Sequence, residues 1–270
     1  MNKTVAVITG ATGGIGRAIA ERFAGNGYAL VLSGRSDSEL QKLAGQLRAN
    51  NKADCITVAG DLESDEFPAA LCHAAAAAYG TIDILVNNAA WRTIETMRTI
   101  SEDNWNKTIK VCLTAPAFLS RAAAGMMEKS GRGGCIINVS TVMSWRTPGY
   151  CPAYVAAKAG MEGLTRELAV CYGRSNIRVV GISPGMIDTA LGDDYKGADG
   201  TNVSSLIQAE MLERIPAGRA GNAAEVAALV SWLGSPEAAY LSGTTITLDG
   251  GFSVNFNSYS SKHLQFPGQF

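Results

Sequence analysis

The feature that most constrains this chain is Thr9-Gly10-Ala11-Thr12-Gly13-Gly14-Ile15-Gly16. This glycine-rich turn directly follows the apolar run Val5–Thr9 and opens a helical stretch at Ile15. Glycine at such a junction lets the chain turn tightly and lets helix N-terminal N–H groups come up against a pyrophosphate. A second apolar run, Ala29–Ser33, lies about 20 residues further on, completing the strand–turn–helix–strand context that such a turn needs.

The alternation continues along the chain. Apolar or β-branched runs at Cys55–Ala59, Ile82–Val86, Cys135–Ser140, Val179–Ser183 and Thr245–Leu248 read as strands. Between them lie helical stretches at Ile15–Gly25, Glu39–Asn50, Ala69–Tyr79, Trp105–Glu128, Ala153–Gly173 and Ala223–Leu233. Runs that are apolar throughout suit strands covered on both faces. Strand–helix alternation implies right-handed crossovers. The expected fold class is therefore α/β: a single-domain, doubly wound parallel sheet (Rossmann-like) with helices on both faces. With 47% hydrophobic and 17% charged residues among 270, the chain can bury the core of one such domain. We assign residues 1–252 to the catalytic, dinucleotide-binding domain and 253–270 to a C-terminal tail. The polar segment Asp188–Pro216, placed beyond a strand's carboxyl end, reads as a lid over a ligand. The tail carries Phe256, Tyr259, Leu264, Phe266 and Phe270, which suit docking onto a surface, a neighbouring subunit among the options.

Several classes drop out. A net charge of −1 and the lack of any Lys/Arg-rich run argue against a nucleic-acid partner. No apolar stretch nears the ~20 residues of a membrane span. The start, Met1-Asn2-Lys3 then Val5–Ile8, meets Thr9-Gly10 too soon for a secretory core, so a cytoplasmic setting is expected. Cys55, Cys72, Cys112, Cys135, Cys151 and Cys171 form no CxxC pair and have only His73 and His263 for company, so no metal site is expected.

Three further positions carry chemistry. The second strand ends Ser33-Gly34-Arg35-Ser36, with no carboxylate until Asp37. A carboxylate there would bind the adenosine ribose and repel a 2′-phosphate, whereas Arg35 offers a guanidinium to one. NADP(H) is favoured, with NAD(H) and a purely solvated Arg35 left open. Tyr154 and Lys158, four apart on one helix face, place an ammonium by a phenol and so favour its ionised form. Thirteen residues before Tyr154, Thr141 offers a hydroxyl to a substrate carbonyl, with Ser140 as fallback.

Together these residues resemble the classical short-chain dehydrogenase/reductase family from Thr4 to about Phe252. The glycine turn is similar to TGxxxGxG through Thr9, Gly10, Gly14 and Gly16, with Thr12 and Ile15 in the same turn. Asn87-Asn88-Ala89-Ala90 resembles NNAG, Tyr154 and Lys158 are YxxxK, and Leu248-Asp249-Gly250-Gly251 resembles the DGG turn. Pro184-Gly185-Met186-Ile187-Asp188-Thr189 is similar to PGxxxT. The resemblance implies hydride transfer between nicotinamide and a carbonyl or alcohol carbon. It implies cofactor contacts at Gly10, Thr12, Gly14, Ile15, Gly16, Arg35, Asp61, Leu62, Asn88, Ala89, Pro184, Gly185, Ile187 and Thr189. Tyr154 becomes acid or base, Lys158 the ribose ligand, and Thr141 the substrate-orienting group in place of the usual serine. Seven residues beyond Trp105, where the family usually carries a proton-relaying Asn, stands Cys112. A slower relay, a different water route through Lys110 or Thr114, and loss of activity all follow as readings of that change. The resemblance also places Trp91, Arg92, Met143, Trp145, Arg146 and Tyr150 around a small-molecule substrate; the two Trp-Arg pairs among them suggest Arg92 or Arg146 facing an anionic group, the alternative being surface or subunit contacts. Sugar or polyol, 3-oxoacyl and cyclic ketone substrates stay open. A homotetramer or homodimer is implied. The reading from another class is a non-catalytic NADP(H)-binding sensor or scaffold.

Overall fold

A computed structural model describes residues 3–270, apart from the side chain of Leu191; Met1 and Asn2, with which the first domain was taken to begin, lie outside the described residues. Seven strands, β1 (Val5–Thr9), β2 (Ala29–Gly34), β3 (Cys55–Ala59), β4 (Ile84–Asn87), β5 (Gly134–Val139), β6 (Ile177–Pro184) and β7 (Thr245–Leu248), form one parallel sheet in the order β3-β2-β1-β4-β5-β6-β7. The order reverses between β1 and β4, and a crevice opens there beyond the strands' carboxyl ends.

Successive residues of a strand face opposite sides of the sheet, and both sides are buried. On one face Ala6, Ile8, Leu30, Leu32, Ile137 and Val139 pack against α1 (Gly14–Gly25), α2 (Asp37–Asn51) and, further along the chain, Ala223–Leu233. On the other, Val7, Val31, Leu85 and Ile136 meet α3 (Phe67–Tyr79) and two later helical stretches. The α/β sandwich expected from the alternation is the one formed.

Boundaries shift where a local group was unread. The expected run at Ile82 enters the sheet only at Ile84. Asp83 is occupied at the junction: its carboxylate accepts from Val5 N at 2.8 Å and pairs with Arg132 at 2.8 Å. The long helix expected over Trp105–Glu128 starts earlier, because Ser101 accepts from Asn104 N and caps it. It is also not one regular helix. α4 (Glu102–Ile109) runs into a π turn, Lys110–Thr114, and then into α5 (Ala115–Ser130). The next helix, α6 (Pro152–Tyr172), carries Tyr154 and Lys158 near its start.

The polar segment 188–216 contains a helix of its own, α7 (Ser204–Leu212), and the short antiparallel bridge Lys196–Asn202. α8 (Ala223–Leu233) follows, held by a capping box between Asn222 and Glu225. The tail folds into α9 (Tyr259–Gln265) and lies against its own chain: Tyr259 N donates to Glu213 O at 2.8 Å and Asn255 Nδ2 to Arg214 O at 2.9 Å. Phe256 (91% exposed) and Leu264 (86%) stay uncovered.

A buried polar ladder ties the layers beneath the crevice. Asn87 Nδ2 donates to Asn138 Oδ1 at 2.8 Å and to Ser120 Oγ at 3.1 Å, and Asn138 Nδ2 donates to Thr165 Oγ1 at 2.9 Å. These groups link β4, β5, α5 and α6 where water cannot replace a lost partner. Asn138→Leu is expected to lower stability by about 1–3 kcal/mol through the donors and acceptors it orphans, read as a lower urea midpoint at unchanged slope.

Candidate active site

The glycine turn is fixed by what surrounds it. Gly10 has φ +63°, a left-handed conformation, and a side chain there would press on Ala89 Cα at 2.9 Å. A Cβ on Gly16 would sit 2.1 Å from Gly10 O, and one on Gly14 would meet Thr189 Cγ2 at 2.7 Å. Gly13 stands at the N-cap of α1 with no side-chain cap, and the first turn carries no acid. That end of the helix therefore presents unengaged N–H groups to the crevice, a cradle for a phosphate. From the opposite wall Asn88 Nδ2 donates to Thr9 O at 2.9 Å and Gly10 O at 3.2 Å. The residues present thus fit a dinucleotide.

They open onto a cleft of about 900 Å³. Thr12, Ile15, Arg35, Asp61, Leu62, Asn88, Ala89, Pro184, Gly185, Ile187 and Thr189 line it with the glycines, as do Tyr154, Lys158, Thr141, Ser140, Trp91, Arg92 and Met143. The turn after β6 is stitched in place: Asp188 N donates to Gly221 O and Gly221 N to Met186 O, both at 2.9 Å. Arg35 is exposed at the end of β2, and Asp37 is drawn into the first turn of α2 behind the Ser36 cap.

Lys158 is 1% exposed and donates to Val139 O at 2.6 Å, with Nζ 5.6 Å from the centre of the Tyr154 ring. Burial pulls the Lys158 pKa down, and the neighbouring Cys112 pushes it the other way. Burial drives the Tyr154 pKa above the ordinary phenol value, helped by Cys112 and opposed by Arg92. Among the described residues the Tyr154 hydroxyl has no hydrogen-bond partner, so it is left to the cleft. Thr141 Oγ1 accepts from Met143 N at 3.3 Å at the head of a short 3₁₀ turn, which keeps its proton for a ligand.

Ser140 is engaged elsewhere. Its hydroxyl donates to Glu162 Oε1 at 2.8 Å, where Ser144 (2.6 Å) and Ser183 (3.3 Å) also donate. Glu162 is one helical turn beyond Lys158, so one carboxylate oxygen holds the loop of Thr141, its 3₁₀ turn and the end of β6. Its sequence signal was present but unread: an acid continuing the Tyr154–Lys158 face at the same spacing.

Cys112 does not line the cleft. It sits fully buried in the π turn, where Sγ donates to Trp91 O at 3.2 Å and accepts from Trp91 N at 3.3 Å. Neither Lys110, ion-paired with Asp65, nor Thr114 lines the cleft.

The expected substrate wall is only partly assembled. Trp145 is half exposed and away from the cleft. Arg146 points at the tail instead: Nη1 donates to the carbonyls of Phe252 (2.8 Å), Ser253 (3.0 Å) and Asn255 (3.0 Å). Tyr150 lies behind the wall, edge-on to Tyr195 with ring centres 5.8 Å apart. Arg92 remains at the cleft, paired with Asp194 of the 188–216 segment at 2.7 Å and stacked on Tyr195. Tyr195, Met211 and Leu212, which the sequence presents only as part of the polar segment 188–216, complete the wall together with Phe252, which follows the Asp249-Gly250-Gly251 turn.

A family model described as Enoyl-(Acyl carrier protein) reductase matches residues 10–253. The chain is 35% identical over 251 residues to the 3-oxoacyl-[acyl-carrier-protein] reductase FabG of Escherichia coli, covering 92% of this chain and 96% of that one. Among solved structures it is similar to the acetoin dehydrogenase YohF of Salmonella typhimurium (30% identity, TM-score 0.83, 96% and 100% covered). It is equally similar to a short chain dehydrogenase of Bacillus anthracis (31% identity, TM-score 0.82, 92% and 96% covered). With its sheet order, glycine turn and Tyr154–Lys158 pair, the chain belongs to the short-chain dehydrogenase/reductase family, oxidoreductases of carbonyl and alcohol substrates that use a nicotinamide cofactor.

Proposed function

We propose that the protein is an NADP(H)-dependent dehydrogenase/reductase acting on an uncharged ketone or secondary alcohol. The carrying observation is that Tyr154, Lys158 and Thr141 share one cleft with the glycine turn, and that among the described residues the Tyr154 hydroxyl has no hydrogen-bond partner. When bound, the nicotinamide supplies or takes up the hydride. Thr141 Oγ orients the substrate oxygen, and Tyr154 Oη gives that oxygen a proton in reduction or removes it in oxidation. Lys158, its Nζ 5.6 Å from the centre of the Tyr154 ring, would hold the ribose hydroxyls, and its ammonium would work against the burial that disfavours the phenolate.

The substrate class is narrowed by two arginines already engaged, Arg146 with the tail carbonyls and Arg92 with Asp194. The surrounding Met143, Met211, Leu212, Tyr195 and Phe252 are apolar or aromatic, which favours a neutral flank on the substrate. Cyclic ketones, 3-oxoacyl esters and sugars or polyols remain the candidate classes. The names of two relatives already span an acyl thioester and a small ketol. Free thiols at all six cysteines suit the reducing cytoplasm. The reading extends to a homotetramer, for which exposed Phe118, Val170 and Phe256 offer apolar contacts.

Nicotinamide absorbance with a panel of these substrates and both cofactors tests the reading. Turnover should follow NADP(H), favour a neutral ester over its free acid, and fall by about 10²-fold or more in Tyr154→Phe. Oxidation needs the phenolate, so its rate should rise as pH passes through the Tyr154 pKa, while reduction, which needs the phenol, should fall. Turnover with NAD(H) alone would discard the Arg35 argument, and tight cofactor binding without turnover would favour the sensor reading.

Cys112 gives a sharper test, because an Asn there can also donate to Trp91 O and accept from Trp91 N. Cys112→Asn should keep or raise turnover, whereas Cys112→Leu, which can do neither, should lower it about tenfold or more. A large loss in a folded Cys112→Asn protein would refute this. Light scattering at working concentration should give the mass of four chains.

A further inference from the structure

Trp91, expected from the sequence at the carbonyl pocket, reaches the other way. Its backbone is clamped at both N and O by Cys112, and its indole extends toward the end of β2. There the Arg35 guanidinium carbon lies 5.6 Å from the ring centre and Lys107 Nζ 4.6 Å from it. All three line the cleft beside Asp61 and Leu62. In a doubly wound sheet the end of the second strand faces the adenosine ribose.

Two cations brought to one small region repel each other unless something negative lies with them. The indole face attracts each cation without cancelling its charge as a carboxylate would. Lys107 has a carboxylate partner, Glu63 at 2.5 Å, but that pair is open to solvent, with 29% and 39% of the two side chains exposed, and is therefore screened and exchangeable. Arg35 is exposed and forms no ion pair among the described residues. A phosphomonoester, carrying about −1.5 to −2 charges at neutral pH, is opposite in sign to both cations and can take Lys107 from its solvent-open pair with Glu63. The guanidinium contributes a bidentate fork and the ammonium a point charge.

We propose that Trp91, Arg35 and Lys107 form one unit that reads the adenosine 2′-phosphate, with Trp91 as the platform and Lys107 as the second cation. This rests on the NADP(H) reading above and adds two specificity-determining residues to it. It needs no substrate to test.

Calorimetric titration of the full chain with 2′,5′-ADP and with 5′-AMP isolates the corner. Wild-type protein should bind 2′,5′-ADP about tenfold or more tightly than 5′-AMP. Lys107→Gln and Trp91→Leu should each cut that ratio about threefold or more, through weaker 2′,5′-ADP binding with 5′-AMP affinity held. Trp91→Phe, which keeps a ring face, should preserve most of it. Lys107 is part-exposed, so its variant decides the matter even where Trp91→Leu folds poorly. An unchanged ratio in both variants, with the ratio lost in Arg35→Ala, would overturn the proposal while leaving the NADP(H) reading intact. Equal weakening of both nucleotides in Trp91→Leu would reduce Trp91 to general packing and overturn it too. A wild-type ratio near one would remove the NADP(H) reading and this proposal together.

Discussion

The side chain of Thr9 joins the two halves of the sheet at the point where strand order reverses. Its hydroxyl accepts from Asn88 N at 3.0 Å and Ala89 N at 3.1 Å and donates to Val86 O at 3.3 Å. Asn88 returns the contact through its carboxamide to Thr9 O and Gly10 O. Without that closure the crevice between β1 and β4 would have two independent lips, and the glycine turn would have no fixed height above the sheet. A buried hydroxyl serving three backbone groups is hard to replace, because each group it leaves would face a dry interior. The glycine turn on one side of the crevice and the Asn88–Ala89 turn on the other are both held by this seam.

The fold was legible because its signals are local and repeated. Strands such as Val5–Thr9 and Thr245–Leu248 are apolar throughout, and each helix between them carries its own periodicity. The cleft residues tied to the glycine turn, to Asn88 and to Pro184–Thr189 were legible for the same reason, since backbone geometry there demands particular residues. What stayed hidden depends on contacts between distant segments. Nothing near Arg146 in sequence announces that three carbonyls at 252, 253 and 255 will occupy it. Likewise the pairing of Arg92 with Asp194 joins residues about a hundred positions apart. An arginine in a substrate loop looks available until the partner that claims it is placed.

Glu162 and Cys112 show the other way in which a site escapes a reading by residue type. Neither touches the cleft, yet each fixes something that does. One Glu162 oxygen gathers three serine hydroxyls, two from the 140–144 loop that carries Thr141 and one from the end of β6. The Cys112 thiol grips both polar atoms of a single peptide residue. A thiol is a weak hydrogen-bonding group, but enclosed on all sides it has no competing water, and a weak donor suffices to set a loop.

The π turn at Lys110–Thr114 gives the α4–α5 rod two phases rather than one. An i→i+5 turn holds one residue more than a regular turn, and each residue rotates a helix by about 100°. Leu119, Ala123 and Met127 can therefore face the core while Lys107, one turn before the irregularity, faces the nucleotide crevice. Regularising the helix by a single deletion would keep its length nearly the same and swing its first two turns by over a quarter of a revolution. Position along this rod is thus an angular coordinate as much as a linear one, and a gap of one residue in an alignment here would move a side chain from one wall of the molecule to another.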